Sequence, residues 1–325
     1  MRRSLDLSRL ASLQSLVALV LMIVVLSLAS DRFLTVDNIW NVMRQISVNI
    51  CLSVGMTLVI LTGGIDLSVG SVLALSGAVA AGLMKRGLAL ESLNLFIGFT
   101  FLGAALAGLA TGAALGWTNG FFITRFNVPP FVATLAMLTM ARGFTMLWTR
   151  GFPITGLGGT FAFFGTGWFA GVPMAVWISA VIVIFFILLT ARTPFGRYTF
   201  AVGGNERAAR LSGVRVNRIK IAVYTLAGAL SALGGLVVTS RLDSAQPNAG
   251  MGYELDSIAA VVIGGTSLAG GRGSVSGTVL GALIIGVLNN GLVLLDVSPF
   301  WQQVIKGAVI LLAVTIDKMN RAEVP

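Results

Sequence analysis

Ten apolar runs recur along this chain, at 13–29, 46–62, 69–84, 93–115, 129–147, 173–190, 221–239, 256–268, 275–294 and 300–316. A helix needs about 20 residues to cross roughly 30 Å of hydrocarbon, and most of these runs approach that length. Only 10% of the residues are charged and 56% are hydrophobic, whereas a soluble domain carries roughly 25% charge. The expected fold is therefore an all-α integral membrane protein of about ten transmembrane helices, one domain over residues 1–325. Runs 69–84 and 256–268 are short and glycine-interrupted, so re-entrant or broken helices are open there. Arg2, Arg3 and a first run ending in Ser27-Leu28-Ala29 also fit a secretory signal. Further runs follow at once, and a retained first helix is the simpler expectation.

Several chemistries are excluded by composition. Histidine is absent and Cys51 is the only cysteine, which removes zinc sites of the Cys/His kind, intrachain disulfides and histidine-based catalysis. A phosphate-binding loop needs glycine directly before its lysine. Here Lys85, Lys220, Lys306 and Lys318 follow Met84, Ile219, Ile305 and Asp317. ATP chemistry would have to come from a partner chain, and no cofactor is expected.

The net charge of +10 lacks the aromatic-basic interleaving and the soluble module that nucleic-acid binding requires. Membrane topology accounts for it instead. With the N-terminus inside, the regions between runs divide their basic residues fourteen to six in favour of the cytoplasm, Arg142 and Lys306 falling inside runs. That asymmetry places both termini in the cytoplasm.

The densest basic stretch lies in the expected cytoplasmic loop 191–220, where residues 203–220 read GGNERAARLSGVRVNRIK. Asn205 is placed to cap a helix, Glu206 to sit at its positive end and Gly213 to supply a left-handed stop. The spacing predicts about two turns, a length that is marginal in isolation. One reading gives the arginines to topology and anionic lipid. The other makes a docking helix, which Ala208, Ala209 and Leu211 favour.

Gly63-Gly64-Ile65-Asp66-Leu67-Ser68 is the second feature. A carboxylate beside hydrocarbon by default marks function, yet Asp66 or Ser68 equally fits a cap on the helix that follows. Double glycine, leucine and Gly-Ser-Val recur around Gly264-Gly265, with Ser267 standing where Asp66 does. Corresponding glycine breaks in two halves point to a translocation pathway at an internal repeat. The outward loops near Arg241, Asp243, Tyr253, Glu254 and Asp256 are candidates, by charge and expected exposure, for docking a soluble partner.

Residues 55–71 (GMTLVILTGGIDLSVGS), 210–220 (RLSGVRVNRIK), 244–271 (SAQPNAGMGYELDSIAAVVIGGTSLAGG) and Leu288-Asn289-Asn290-Gly291 together resemble the membrane permease subunits of bacterial sugar ABC importers, most nearly those of ribose importers. The likeness covers nearly the whole chain after about residue 30. It implies a homodimeric inner-membrane permease that receives a monosaccharide from a periplasmic binding protein and is driven by a cytoplasmic ATP-binding subunit. It also implies that Asn205, Glu206, Ala208, Ala209, Arg210, Leu211 and Gly213 form the coupling helix. The Ala-Ala-x-x-x-Gly core of the coupling signature is kept, whereas its Ile-x-Leu-Pro ending is missing. Gly63, Gly64, Asp66, Ser68, Gly264, Gly265, Asn289 and Asn290 are the pathway candidates. An autonomous secondary transporter or channel is the rival class, and it would need several intramembrane acidic groups where Asp66 is the serious candidate.

Overall fold

The structure is a computed structural model that describes residues 2–90 and 95–322. Thirteen helices make up most of the described residues: α1 (Arg2–Ala29), α2 (Val36–Leu61), α3 (Val69–Arg86), α4 (Phe101–Arg125), α5 (Pro130–Thr149), α6 (Gly159–Thr166), α7 (Met174–Arg192), α8 (Pro194–Gly204), α9 (Glu206–Leu211), α10 (Val216–Arg241), α11 (Tyr253–Ile263), α12 (Val275–Leu294) and α13 (Pro299–Ala322). Three short antiparallel pairings join β1 (Leu88–Leu90) to β2 (Leu95–Ile97), β3 (Ile154–Thr155) to β6 (Ser244–Ala245), and β4 (Trp168–Phe169) to β5 (Val172–Pro173).

Among the described residues seven helices, α2, α3, α4, α5, α7, α10 and α12, are long and apolar enough to cross a bilayer. That number is below the ten runs. Run 69–84 is neither broken nor re-entrant but one continuous helix of 18 residues. Run 256–268 is not one continuous helix but a broken one: α11 stops at Ile263 after 11 residues, about 16 Å of helix. Run 93–115 is displaced toward the C-terminus, and its first two residues lie outside the described ones. Thr100 sets the new start, because its side chain accepts from the Gly103 N–H and begins the helix at Phe101.

The chain divides into two compact units. The first comprises Met1–Gly64, Val181–Val216 and Leu255–Pro325. Within it α12 packs against α2 and α1. The Thr57 and Thr278 hydroxyls meet at 2.7 Å, and the Asn38 and Asn290 amides exchange hydrogen bonds of 3.0 and 2.9 Å. Gly286 leaves room for Ile46.

The second unit comprises Ile65–Ala180 and Asn217–Glu254. Its core is α3, flanked by α4, α5 and α10. Small residues bring these helices together: a Cβ on Gly112 or Gly116 of α4 would strike the carbonyls of Gly228 or Tyr224 in α10, and one on Gly235 would strike that of Leu73 in α3. Burial of apolar surface does not drive helix association in lipid, so close backbone approach supplies the attraction. Val72 and Leu75 of α3 pack on Met137 and Ala141 of α5, and Trp148 Nε1 donates to the Ala78 carbonyl at 2.9 Å.

Candidate functional site

The basic stretch folds as its sequence dictates. Asn205 Oδ1 accepts from the Ala208 N–H at 3.0 Å, and Glu206 pairs with Arg210 one turn on at 3.1 Å. At the far end Gly213 adopts φ 84°, its N–H bonding to the Arg210 carbonyl and the Val214 N–H to that of Ala209. These two bonds form a Schellman stop, which closes the orphan carbonyls of the last turn. The resulting α9 has six residues, about 9 Å of helix. Ala209 faces inward, while Arg207, Ala208, Arg210 and Ser212 are exposed and Leu211 stands 90% exposed.

The glycine pairs also end helices, but not at the residues that matching Gly63 with Gly264 suggests. After α2 the left-handed residue is Gly63 (φ 77°), and after α11 it is Gly265 (φ 83°). Gly63 and Gly64 donate to the carbonyls of Ile60 and Val59, as Gly265 and Thr266 do to those of Val262 and Val261. The true correspondence is Gly63 with Gly265, one residue out. The Gly-Ser-Val triplets differ as well, since Gly70-Ser71-Val72 lies inside α3 whereas Ser274 precedes α12 and caps it at the Gly277 N–H.

Asp66 is buried, 1% exposed, in the link between α2 and α3. It makes no direct helix cap. Its Oδ1 accepts from the Ser68 N–H at 2.9 Å and from the Ser68 hydroxyl at 2.6 Å, a side-chain turn ahead of α3. Asn119 of α4 donates to Ser68 Oγ at 3.0 Å, and Thr134 of α5 to the Ile65 carbonyl at 3.2 Å. Burial pushes the Asp66 carboxyl above its usual range, against which the Ser68 bonds act.

Asn289 and Asn290 face different partners. Asn290 belongs to the amide pair with Asn38, and Asn289 Nδ2 donates to Asp256 Oδ2 at 3.3 Å. Asp256 is not the exposed loop residue its charge suggests: it is 7% exposed on α11 and ion-paired to Lys306 of α13 at 3.0 Å. A buried charge requires such a partner, and a lysine inside an apolar run was the signal for it. Of the other outward candidates, Asp243 is exposed, and Arg241, Tyr253 and Glu254 are half-buried. Asp243 Oδ1 also accepts from the Leu157 N–H at 2.9 Å.

Sequence reasoning passed over Arg142. Its Nη1 donates to the carbonyls of Pro247 and Ala249 at 2.8 and 2.9 Å, fastening the segment between α10 and α11 to α5. An arginine amid apolar residues needs acceptors, and here backbone carbonyls supply them with the Glu254 carboxylate close enough to attract the charge.

The family described as the permease component of branched-chain amino acid transport systems matches residues 38–314. The ribose import permease protein RbsC of Escherichia coli K12 is 49% identical over 324 residues, 98% of each chain. Its namesake in Bacillus subtilis is 50% identical over 307 residues, 94% of this chain and 92% of that one. The D-allose transport system permease protein AlsC of Escherichia coli K12 is 38% identical over 293 residues, 90% and 87% of the two chains. No solved structure matches.

Proposed function

The chain belongs to that permease family and is a membrane transport component, and from this premise we propose that it is the translocating subunit of an ATP-driven importer of ribose or a related monosaccharide. The single observation that carries the proposal is the 49% identity, over 98% of both chains, to a ribose import permease. Two copies form the channel in the inner membrane, a periplasmic binding protein delivers the sugar, and a cytoplasmic ATP-binding subunit docks on α9.

A helix of six residues is not stable alone. The capped and stopped α9, with Leu211 turned to solvent, suits a cleft in another protein better than a lipid surface. ATP binding in the partner closes it, the docked helices move, and the spans shift between outward-open and inward-open packings. The chain contributes no power of its own, because a conformational equilibrium moves only as far as something binds its two states differently. Asp243, Arg241, Tyr253 and Glu254 form the docking rim for the binding protein. Asp256 is left out of that rim because it is buried in its ion pair.

Reconstitution into proteoliposomes tests the proposal. The chain alone is expected to accumulate no radiolabelled ribose under any ion gradient. Adding the ATP-binding subunit, the binding protein and ATP is expected to produce uptake. Accumulation by the chain alone would assign it to the autonomous transporters.

A further inference from the structure

Resting on the reading of α9 as the ATPase contact, we propose that three backbone segments, Leu61–Gly63, Gly203–Gly204 and Gly270–Gly271, form a rigid joint that carries the displacement of α9 to the α2–α12 pair. All three lie in the first unit.

No linker separates α9 from the joint. Asn205 is at once the C-cap of α8 and the N-cap of α9, so the last residues of α8 move with whatever grips α9. Val202 and Ala209, on either side of the cap, are both buried, and α8 packs on α2 within the same unit.

At the joint the contacts are main chain on main chain. A Cβ on Gly203 would fall on the Leu61 carbonyl at the end of α2, with the Gly271 nitrogen next to it. The Gly271 N–H donates to that same Leu61 carbonyl at 3.0 Å, satisfying one of the four acceptors that the end of α2 leaves open. A Cβ on Gly270 would meet the Gly63 nitrogen and the Gly203 carbonyl, and one on Gly271 the backbone of Gly204. Side chains absorb small displacements by changing rotamer. Carbonyls and amides in contact have no such freedom, so a push on α8 arrives undiminished at α2 and at the segment leading into α12.

Those two recipients are themselves locked together. Thr57 holds Thr278 along the length of the pair, and Asn38 holds Asn290 further from the joint. Gly270 and Gly271 are followed within four residues by the Ser274 cap of α12. Movement therefore reaches α2 and α12 as one body, and with them Asn289 and its contact to Asp256.

The test uses the whole importer, with radiolabelled ribose as the transported probe. Gly203→Ala is expected to keep co-purification of the ATP-binding subunit and basal ATP hydrolysis while uptake falls at least tenfold. Gly204→Ala, whose Cβ meets nothing within 4 Å, is expected to retain at least half of wild-type uptake. Wild-type uptake by Gly203→Ala overturns the joint, and so does loss of co-purification, which would make Gly203 part of the dock. If Gly203→Ala does not reach the membrane, a disulfide between Thr57→Cys and Thr278→Cys, whose native hydroxyls lie 2.7 Å apart across α2 and α12, decides whether these two helices move as one body. A rigid joint tolerates that crosslink with uptake within twofold, and a block on oxidation that reduction relieves overturns it. Failure of the docking reading is separable, because it appears as retained co-purification in Ala209→Glu whatever Gly203 does.

Discussion

Asp66 shows how a residue that looks functional in a sequence acquires a different character from its surroundings. Its hydrogen bonds come from the backbone and side chain of Ser68, both neutral groups. A buried carboxylate without a cation is costly and tends to hold its proton, the direction in which burial moves this one. An amide reproduces that arrangement, since asparagine closes the same side-chain turn. Asp66→Asn is therefore expected to keep uptake within twofold of wild type, whereas Asp66→Ala, which loses both bonds, should lower the melting temperature in detergent. Uptake abolished in Asp66→Asn would assign the negative charge itself to transport. Asp256 makes the contrast: its neighbour is Lys306, more than one helix away in sequence, and nothing local in Tyr253-Glu254-Leu255-Asp256 announces that partner.

Elements differ in how much of their structure is local. Everything that starts and stops α9 lies within ten residues, from the Asn205 cap to the Val214 N–H that closes its last turn, so Asn205, Glu206 and Gly213 were legible as a set. Gly213 has open space around it, and its need for glycine is conformational, since a β-branched residue at φ 84° costs roughly 1–2 kcal/mol. Gly213→Val is accordingly expected to abolish co-purification of the ATP-binding subunit while the chain still inserts in the membrane. Gly213→Asn, which tolerates the left-handed region, should retain it. Apolar runs are less informative about their own ends. Run 93–115 holds no charged residue, and the Thr100 bond to Gly103 decides where its helix begins. Run 256–268 is stopped by Gly265, a glycine among many, and which one turns left-handed depends on what the backbone packs against.

For the molecule as a whole, charge asymmetry across the spans gives a prediction independent of any partner. A reporter fused after residue 325 is expected to respond as cytoplasmic, and one inserted after Arg150 as periplasmic. The reverse pattern would invert the topology and remove α9 from the reach of a cytoplasmic ATPase. The all-helical membrane class, the positions of α5, α7 and α12 and the local design of α9 were determined by sequence alone, because hydropathy, capping and basic-residue bias act through neighbours along the chain or through the bilayer. Tertiary structure decided the rest: which of the 40 glycines admit another backbone, that Asp256 meets Lys306, that Arg142 fastens the Pro247–Ala249 segment, and that Gly203 abuts the end of α2. The last three join residues fifty or more positions apart, and a missing Cβ or a lone charge has no meaning until the group opposite it is in place.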